Sequence, residues 1–269
     1  MNTRLLDSLP DMPLDVRWIS KRSQDGILVS ELTFQADVHQ RRVGTLVSPE
    51  GEGPFPVILY VHWYEPQACD SNRTQFLEEA KCMASDGVMS LLIETMWSDR
   101  EWFLKRTQAD DFASSIQQTI ELRRAMDLLL AQPGADSSRF AYVGHDFGAM
   151  YGVAAGSVDK RPTCYVLMAG TPRFPDWYLY YPKLEGDERV GFIEQMRPLD
   201  PIERVGQLSA SPILFQFGLN DPHVPIERAN EFADAAGASA QMSTYDAGHG
   251  LDAHAMRDRV SWLRKQLYE

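Results

Sequence analysis

Residues 139–157 read RFAYVGHDFGAMYGVAAGS: an apolar run, a Gly-His-Asp-Phe-Gly turn, then a stretch of small residues with helical character. This stretch limits the possible folds more than any other. A strand that turns so abruptly into a helix leaves room only for small residues two positions before and two positions after the centre of the turn. Gly144 and Gly148 occupy those positions, and Asp146 is at the centre. Asp146 is thereby presented at the carboxyl end of a buried strand, where open parallel sheets form their sites.

Strand and helix patterns alternate around this turn. Residues 27–34 (ILVSELTF) and 41–49 (RRVGTLVSP) read as antiparallel strands joined by polar loops. Residues 57–62 (VILYVH) form a continuous apolar run, as expected of a strand buried on both faces of a parallel sheet. Helices are predicted over 72–87, stopped by Gly87, and over 107–134, stopped by Pro133-Gly134. Further strands are predicted at 88–94, 163–170, 211–218 and 240–246, and further helices at 225–237 and 251–269. The pattern specifies an α/β protein with a mostly parallel central sheet, helices on both faces and antiparallel N-terminal strands. Residues 171–208 break the rhythm. They are rich in proline and aromatics and too long for a plain connection, so they read as a short lid within a single domain spanning 1–269.

Composition limits the function classes. With 269 residues, 44% of them hydrophobic, the chain can bury a core without disulfides or metal. A formal net charge of −12 speaks against nucleic acid and against anionic membrane surfaces as partners. No run of about 18 apolar residues is present to span a membrane, and residues 1–18 lack a signal-peptide core. Cys69, Cys82 and Cys164 are odd in number and fit no zinc spacing, which points to reduced thiols in a cytoplasm. With no metal-ligand spacing and no phosphate-cradling glycine loop, neither a metal nor a cofactor is expected. The expected partner is a small-molecule substrate, and a homodimer is compatible with the sequence.

Three predicted strand ends carry reactive side chains: Asp146, Asp221 in GLNDPHVP, and His249 in DAGHG. Their order is that of the α/β-hydrolase triad. From about residue 55 to 267 the chain resembles the α/β-hydrolases, closest in layout to the dienelactone-hydrolase and prolyl-oligopeptidase-like branches. The GHDFG turn resembles the elbow of epoxide hydrolases and haloalkane dehalogenases, which use an aspartate nucleophile. The resemblance implies an α/β-hydrolase fold with Asp146 as nucleophile, His249 as base and Asp221 as its orienter. It also implies backbone oxyanion donors at Phe147 and in the Trp63–Tyr64 stretch. Three departures stand out. His62-Trp63 replaces the usual His-Gly, Phe147 replaces the tryptophan that follows an aspartate nucleophile, and the lid is shorter than a cap domain.

An aspartate changes the chemistry. With a reference pKa of about 3.9 it is ionised at neutral pH and needs no base in order to attack. Attack on an ester carbonyl would give an anhydride, with little gained over direct hydrolysis. Attack on a saturated carbon gives an alkyl ester, which water activated by His249 can hydrolyse. Epoxide opening is therefore the first expectation and dehalogenation the second. The third is a dienelactone-hydrolase-like ester or lactone hydrolase in which Asp146 has another role, such as general base. A non-catalytic ligand receptor is the rival from another class; the presence of both Asp221 and His249 argues against it. Tyr64, Tyr178, Tyr180 and Tyr181 are candidate acids, and Trp63, Trp97 and Trp177 are candidate halide donors. Packing of the lid onto the core is the simpler role for each lid aromatic. His62 and Glu65 are further pocket candidates, with His62 also readable as a brace beneath the loop. His145 reads as structural. Arg73 and Glu94 read as loop-bracing or pocket residues, with Glu94 the alternative orienter of His249.

Overall fold

The computed structural model describes residues 6, 11–68, 70, 72–208 and 210–269, so Cys69 lies outside the described residues. Nine strands form one sheet: β1 (Arg17–Gln24), β2 (Ile27–Gln35), β3 (Arg41–Pro49), β4 (Phe55–Val61), β5 (Met89–Ile93), β6 (Ala135–His145), β7 (Cys164–Met168), β8 (Ile213–Gly218) and β9 (Ala240–Tyr245). Their order is β1-β2-β3-β5-β4-β6-β7-β8-β9. β1, β2 and β3 pair antiparallel, β3 joins β5 antiparallel, and every pairing from β5 to β9 is parallel.

The continuous apolar runs are explained by the pleat. In β4, Val57, Leu59 and Val61 join one hydrophobic cluster while Ile58 and Tyr60 join the other. β6 divides the same way, Phe140 and Tyr142 on one side, Ala141 and Val143 on the other. Alternate side chains point to opposite faces, so a strand covered by helices on both faces has no polar position to offer. Helices α1 (Leu77–Ser85) and α6 (Ala253–Tyr268) cover one face. Helices α2 (Gln108–Leu130), α3 (Phe147–Val158) and α5 (Ile226–Ala236) cover the other, together with α4 (Gly186–Met196) of the lid segment. Among the described residues no helix is long and apolar enough to cross a membrane.

Two expectations from the sequence shift. β1, with the sequence RWISKRSQ, is an additional edge strand with almost every residue exposed. α1 begins at Leu77 rather than at 72, because Asp70 organises the preceding turns by accepting the Asn72 and Thr74 amides. The segment 171–208, expected as a lid, divides in two. Residues 175–178 form a single helical turn beside the elbow, while residues 201–208 pack between α3 and α5.

The chain runs from β4 to β5 on one side and later to β6 on the other, so β4 and β6 flank a topological switch point where a crevice opens. The glycines of the turn hold this region together. A Cβ on Gly148 would lie 2.2 Å from the Val61 carbonyl oxygen, and one on Gly144 would lie 2.4 Å from the Gly148 carbonyl oxygen. Both obstacles are backbone, which cannot swing aside. Gly148→Ala should therefore cost about 3 kcal/mol or abolish folding, read as the midpoint of urea denaturation. An unchanged midpoint would remove the close approach of α3 to β4 as a constraint.

Candidate active site

Asp146 sits between β6 and α3 with φ 54° and ψ −116°, a strained conformation for a residue with a Cβ. The surrounding backbone bonds hold it there: its amide donates to the Met168 carbonyl (2.8 Å), and its own carbonyl accepts the Met150 amide (3.0 Å) as the first helical bond of α3. Asp146 is only 2% exposed. Oδ2 faces the Tyr64 amide at 3.5 Å, while Oδ1 is buried without a hydrogen-bond partner. Burial pushes the pKa up to about 7, against the opposing pull of His249 and the Phe147 and Tyr64 amides. This corrects the expectation from residue type that Asp146 is fully ionised at neutral pH: burial in the assembled fold outweighs its intrinsic acidity.

The partners expected at the other strand ends come together. His249 Nδ1 donates to Asp221 Oδ2 at 2.8 Å. Asp221 Oδ1 accepts the His223 and Val224 amides at 2.8 and 3.2 Å, which fixes the carboxylate. Burial pushes the Asp221 pKa up, but the His249 bond and these amides leave it below the usual carboxylate range. Burial pulls the His249 pKa down, yet the Asp221 bond and the charges of Asp146, Asp221 and Glu65 leave it raised overall. The His249 ring stacks on Trp63, centroids 5.1 Å apart and the ring planes nearly parallel. Glu94 is excluded from orienting His249, since its Oε2 accepts the Val43 amide. Arg73 is likewise elsewhere, bonded to Thr45 Oγ1.

A buried chain of hydrogen bonds ties these loops together. His145 Nε2 donates to the His249 carbonyl (2.9 Å), and its Nδ1 accepts from Gln75 Nε2 (2.6 Å). Gln75 Oε1 in turn accepts the Trp63 amide (3.2 Å). The Trp63 amide is thus occupied, which corrects its expected place among the oxyanion donors. The Tyr64 amide faces the Asp146 carboxylate at 3.5 Å, and the Phe147 amide also bears on it. His62 braces the loop rather than lining the pocket. Nδ1 donates to the Trp63 carbonyl, Nε2 faces Ser98 Oγ and Thr95 Oγ1, and burial lowers its pKa to about 4.

The pocket in front of Asp146 has a volume of about 400 Å³. Of the expected residues, Trp63, Tyr64, Glu65, Phe147, Trp177, Tyr180 and His249 line it. Besides His62, three others do not. Trp97 is fully buried behind Phe147, with its indole N–H given to the His62 carbonyl. Tyr178 is fully buried, its hydroxyl bonded to those of Tyr151 and Ser115. Tyr181 is 53% exposed, and its carbonyl accepts from Arg106. The Tyr64 hydroxyl is occupied by the Arg100 carbonyl (2.8 Å), so only its backbone serves the site. Sequence reasoning passed over His223 and Phe103, which also line the pocket. His223 had a usable signal, two residues beyond Asp221 on the same strand-end loop; Phe103 had none.

The raised pKa of Asp146 has a thermodynamic consequence. A carboxyl group whose folded pKa exceeds its unfolded value contributes nothing adverse at low pH. Its penalty grows between about pH 4 and pH 7 and is complete above. Asp146→Asn, which removes the charge, should stabilise the fold at pH 8 by on the order of 2–4 kcal/mol and have little effect near pH 4. Urea denaturation of both proteins at the two pH values measures this. Equal stability at pH 8 would show that the carboxylate is better solvated than its burial implies.

No protein-family model matches the chain, and no curated protein matches its sequence. Solved structures do match. An acetyl xylan esterase from Paenibacillus sp. R4 is 17% identical, with a TM-score of 0.78 over 99% of this chain and 92% of that one. The 2,6-dihydroxy-pseudo-oxynicotine hydrolase is 15% identical, with a TM-score of 0.67 over 95% and 69%. A Klebsiella pneumoniae protein provisionally named a dienelactone hydrolase is 15% identical, with a TM-score of 0.66 over 91% and 100%. At these identities the likeness speaks for the fold alone, and that fold is the one the residues around Asp146, Asp221 and His249 resemble: the chain is folded as an α/β-hydrolase.

Proposed function

We propose that the chain is a hydrolase that displaces a leaving group from a saturated carbon of a small organic molecule through an ester on Asp146. The observation that carries this reading is the state of the Asp146 carboxylate. One oxygen faces the Tyr64 amide, and the other is without a partner in a carboxyl group that lines the pocket. In its ionised form, Oδ1 attacks the carbon, the carbon–oxygen or carbon–halogen bond breaks, and the leaving group takes the electron pair. Esterification removes the charge of Asp146, and with it one of the influences that raise the pKa of His249. The imidazole, held through Nδ1 by Asp221, is then a free base when it is needed. It takes a proton from water, and the hydroxide adds to the ester carbon. The Tyr64 and Phe147 amides stabilise the oxyanion on Oδ2. Collapse expels the alcohol, which recovers the proton from His249.

Two leaving groups have support. For an epoxide, Tyr180 is the tyrosine of the lid that lines the pocket and could protonate the oxygen. For a halide, the indole N–H groups of Trp63 and Trp177, two residues of the pocket wall, are buried without acceptors.

His249→Gln, given a panel of epoxides and haloalkanes, should accumulate one substrate mass on the protein, mapped by peptide mass spectrometry to residues 142–152. Asp146→Asn should show none. In single turnover the rate of ester formation should rise as pH passes about 7, because the carboxylate is the reacting form. Turnover that leaves no adduct in the histidine variant, with heavy oxygen from water found only in the product, would make Asp146 a base rather than a nucleophile. That outcome would favour an ester or lactone hydrolase.

A further inference from the structure

A second cleft, of about 460 Å³, opens on the other side of Tyr180, which lines both it and the pocket of Asp146. The Tyr180 ring packs on Trp177 and His223, centroids 5.6 and 6.3 Å away, and so stands as the partition between the two. The cleft lies between the lid segment and α5. In a chain of net charge −12, its walls carry Arg173, Lys183, Arg189 and Arg228 against one carboxylate, Asp176.

The arginines at its base are fixed in place. Arg173 meets Glu231 with both terminal nitrogens, at 3.0 and 2.5 Å, and Arg228 reaches Glu231 at 2.9 Å and Asp176 at 3.6 Å. Two carboxylates thus balance two arginines. Lys183 and Arg189 form no ion pair among the described residues, so their two charges are the surplus. The Oδ2 atom of Asp176 is buried without a partner, leaving an acceptor at the base of the cleft. Pro175, Leu179 and Ile193 supply an apolar wall between the charges and Tyr180. A surplus of cations beside an apolar wall, separated from the reaction pocket by one shared side chain, Tyr180, suits a short aliphatic chain ending in an anion.

We propose that this cleft binds a carboxylate carried by the substrate, whose hydrocarbon chain passes Tyr180 and brings the reacting carbon to Asp146. The proposal rests on the hydrolase reading for the second half of that path but not for the first. Lys183 and Arg189 then determine specificity by selecting acids over their neutral counterparts.

Isothermal titration of hexanoate and of 1-hexanol into the full chain tests the binding, since neither carries a leaving group. Hexanoate should bind about tenfold more tightly than hexanol, and the preference should shrink as salt rises from about 50 to about 500 mM. K183E/R189E should abolish the preference; both side chains are exposed, and an unchanged circular dichroism spectrum confirms that the variant folds. Equal affinity for acid and alcohol, or a preference that survives the charge reversal, overturns the proposal. In H249Q, 6-bromohexanoate should leave more ester on Asp146 than 1-bromohexane does. Hexanoate binding that is sensitive to the double variant, with no ester from 6-bromohexanoate, would support the cleft while overturning the nucleophile.

Discussion

The backbone contact between the start of α3 and the end of β4 organises everything around it. Gly148 lies so close to the Val61 and His62 carbonyls that no side chain fits between them. That approach brings the two loops of the switch point within reach of each other. The Tyr64 amide can then face a carboxylate 82 positions further along the chain. The Tyr142 hydroxyl, bonded to the Gly148 carbonyl at 2.7 Å, holds the same turn from the sheet side. The strained backbone of Asp146 results from this packing: the residue is held by bonds on both sides and cannot relax without disturbing β7 or α3.

A carboxylate at this position lies among groups that also suit a serine. Two amides and the start of a helix favour negative charge, while burial disfavours it, and the pKa near 7 is the balance. Asp221 is treated oppositely. It accepts three hydrogen bonds and stays ionised, so two carboxylates near one imidazole are separated in acidity by their hydrogen bonding. Two acids driven apart in this way can take different roles, one reacting and one only orienting.

Much of the fold was legible because strand order and apolar runs are local signals. The apolar runs over 57–62 and 139–145 locate β4 and β6, and the order Asp146, Asp221, His249 anticipates which side chains meet. β1 was not legible, since RWISKRSQ is exposed on both faces and shows no alternation. Within the lid, Trp177, Tyr178 and Tyr180 are equivalent by residue type. Which of them faces the pocket depends on the path of one helical turn, and that turn buries Tyr178 while leaving Tyr180 half exposed. The Trp63 amide was misjudged because its acceptor, Gln75, lies in the turns leading into α1 and has no motif to mark it. The acidity of Asp146 was misjudged because desolvation is a property of the assembled core and not of the residue.

The chain of hydrogen bonds through His145 and Gln75 has a mechanical meaning. It joins the backbone of His249, the residue before Asp146 and the loop that carries the Tyr64 amide. Each link is uncharged, since burial holds the His145 pKa well below its ordinary value. Its geometry therefore stays the same across the pH range in which Asp146 gains and loses its proton. Asp146 and His249 can change charge state while the frame that spaces them keeps its own, as a rigid mount keeps optical elements aligned while the light through them varies.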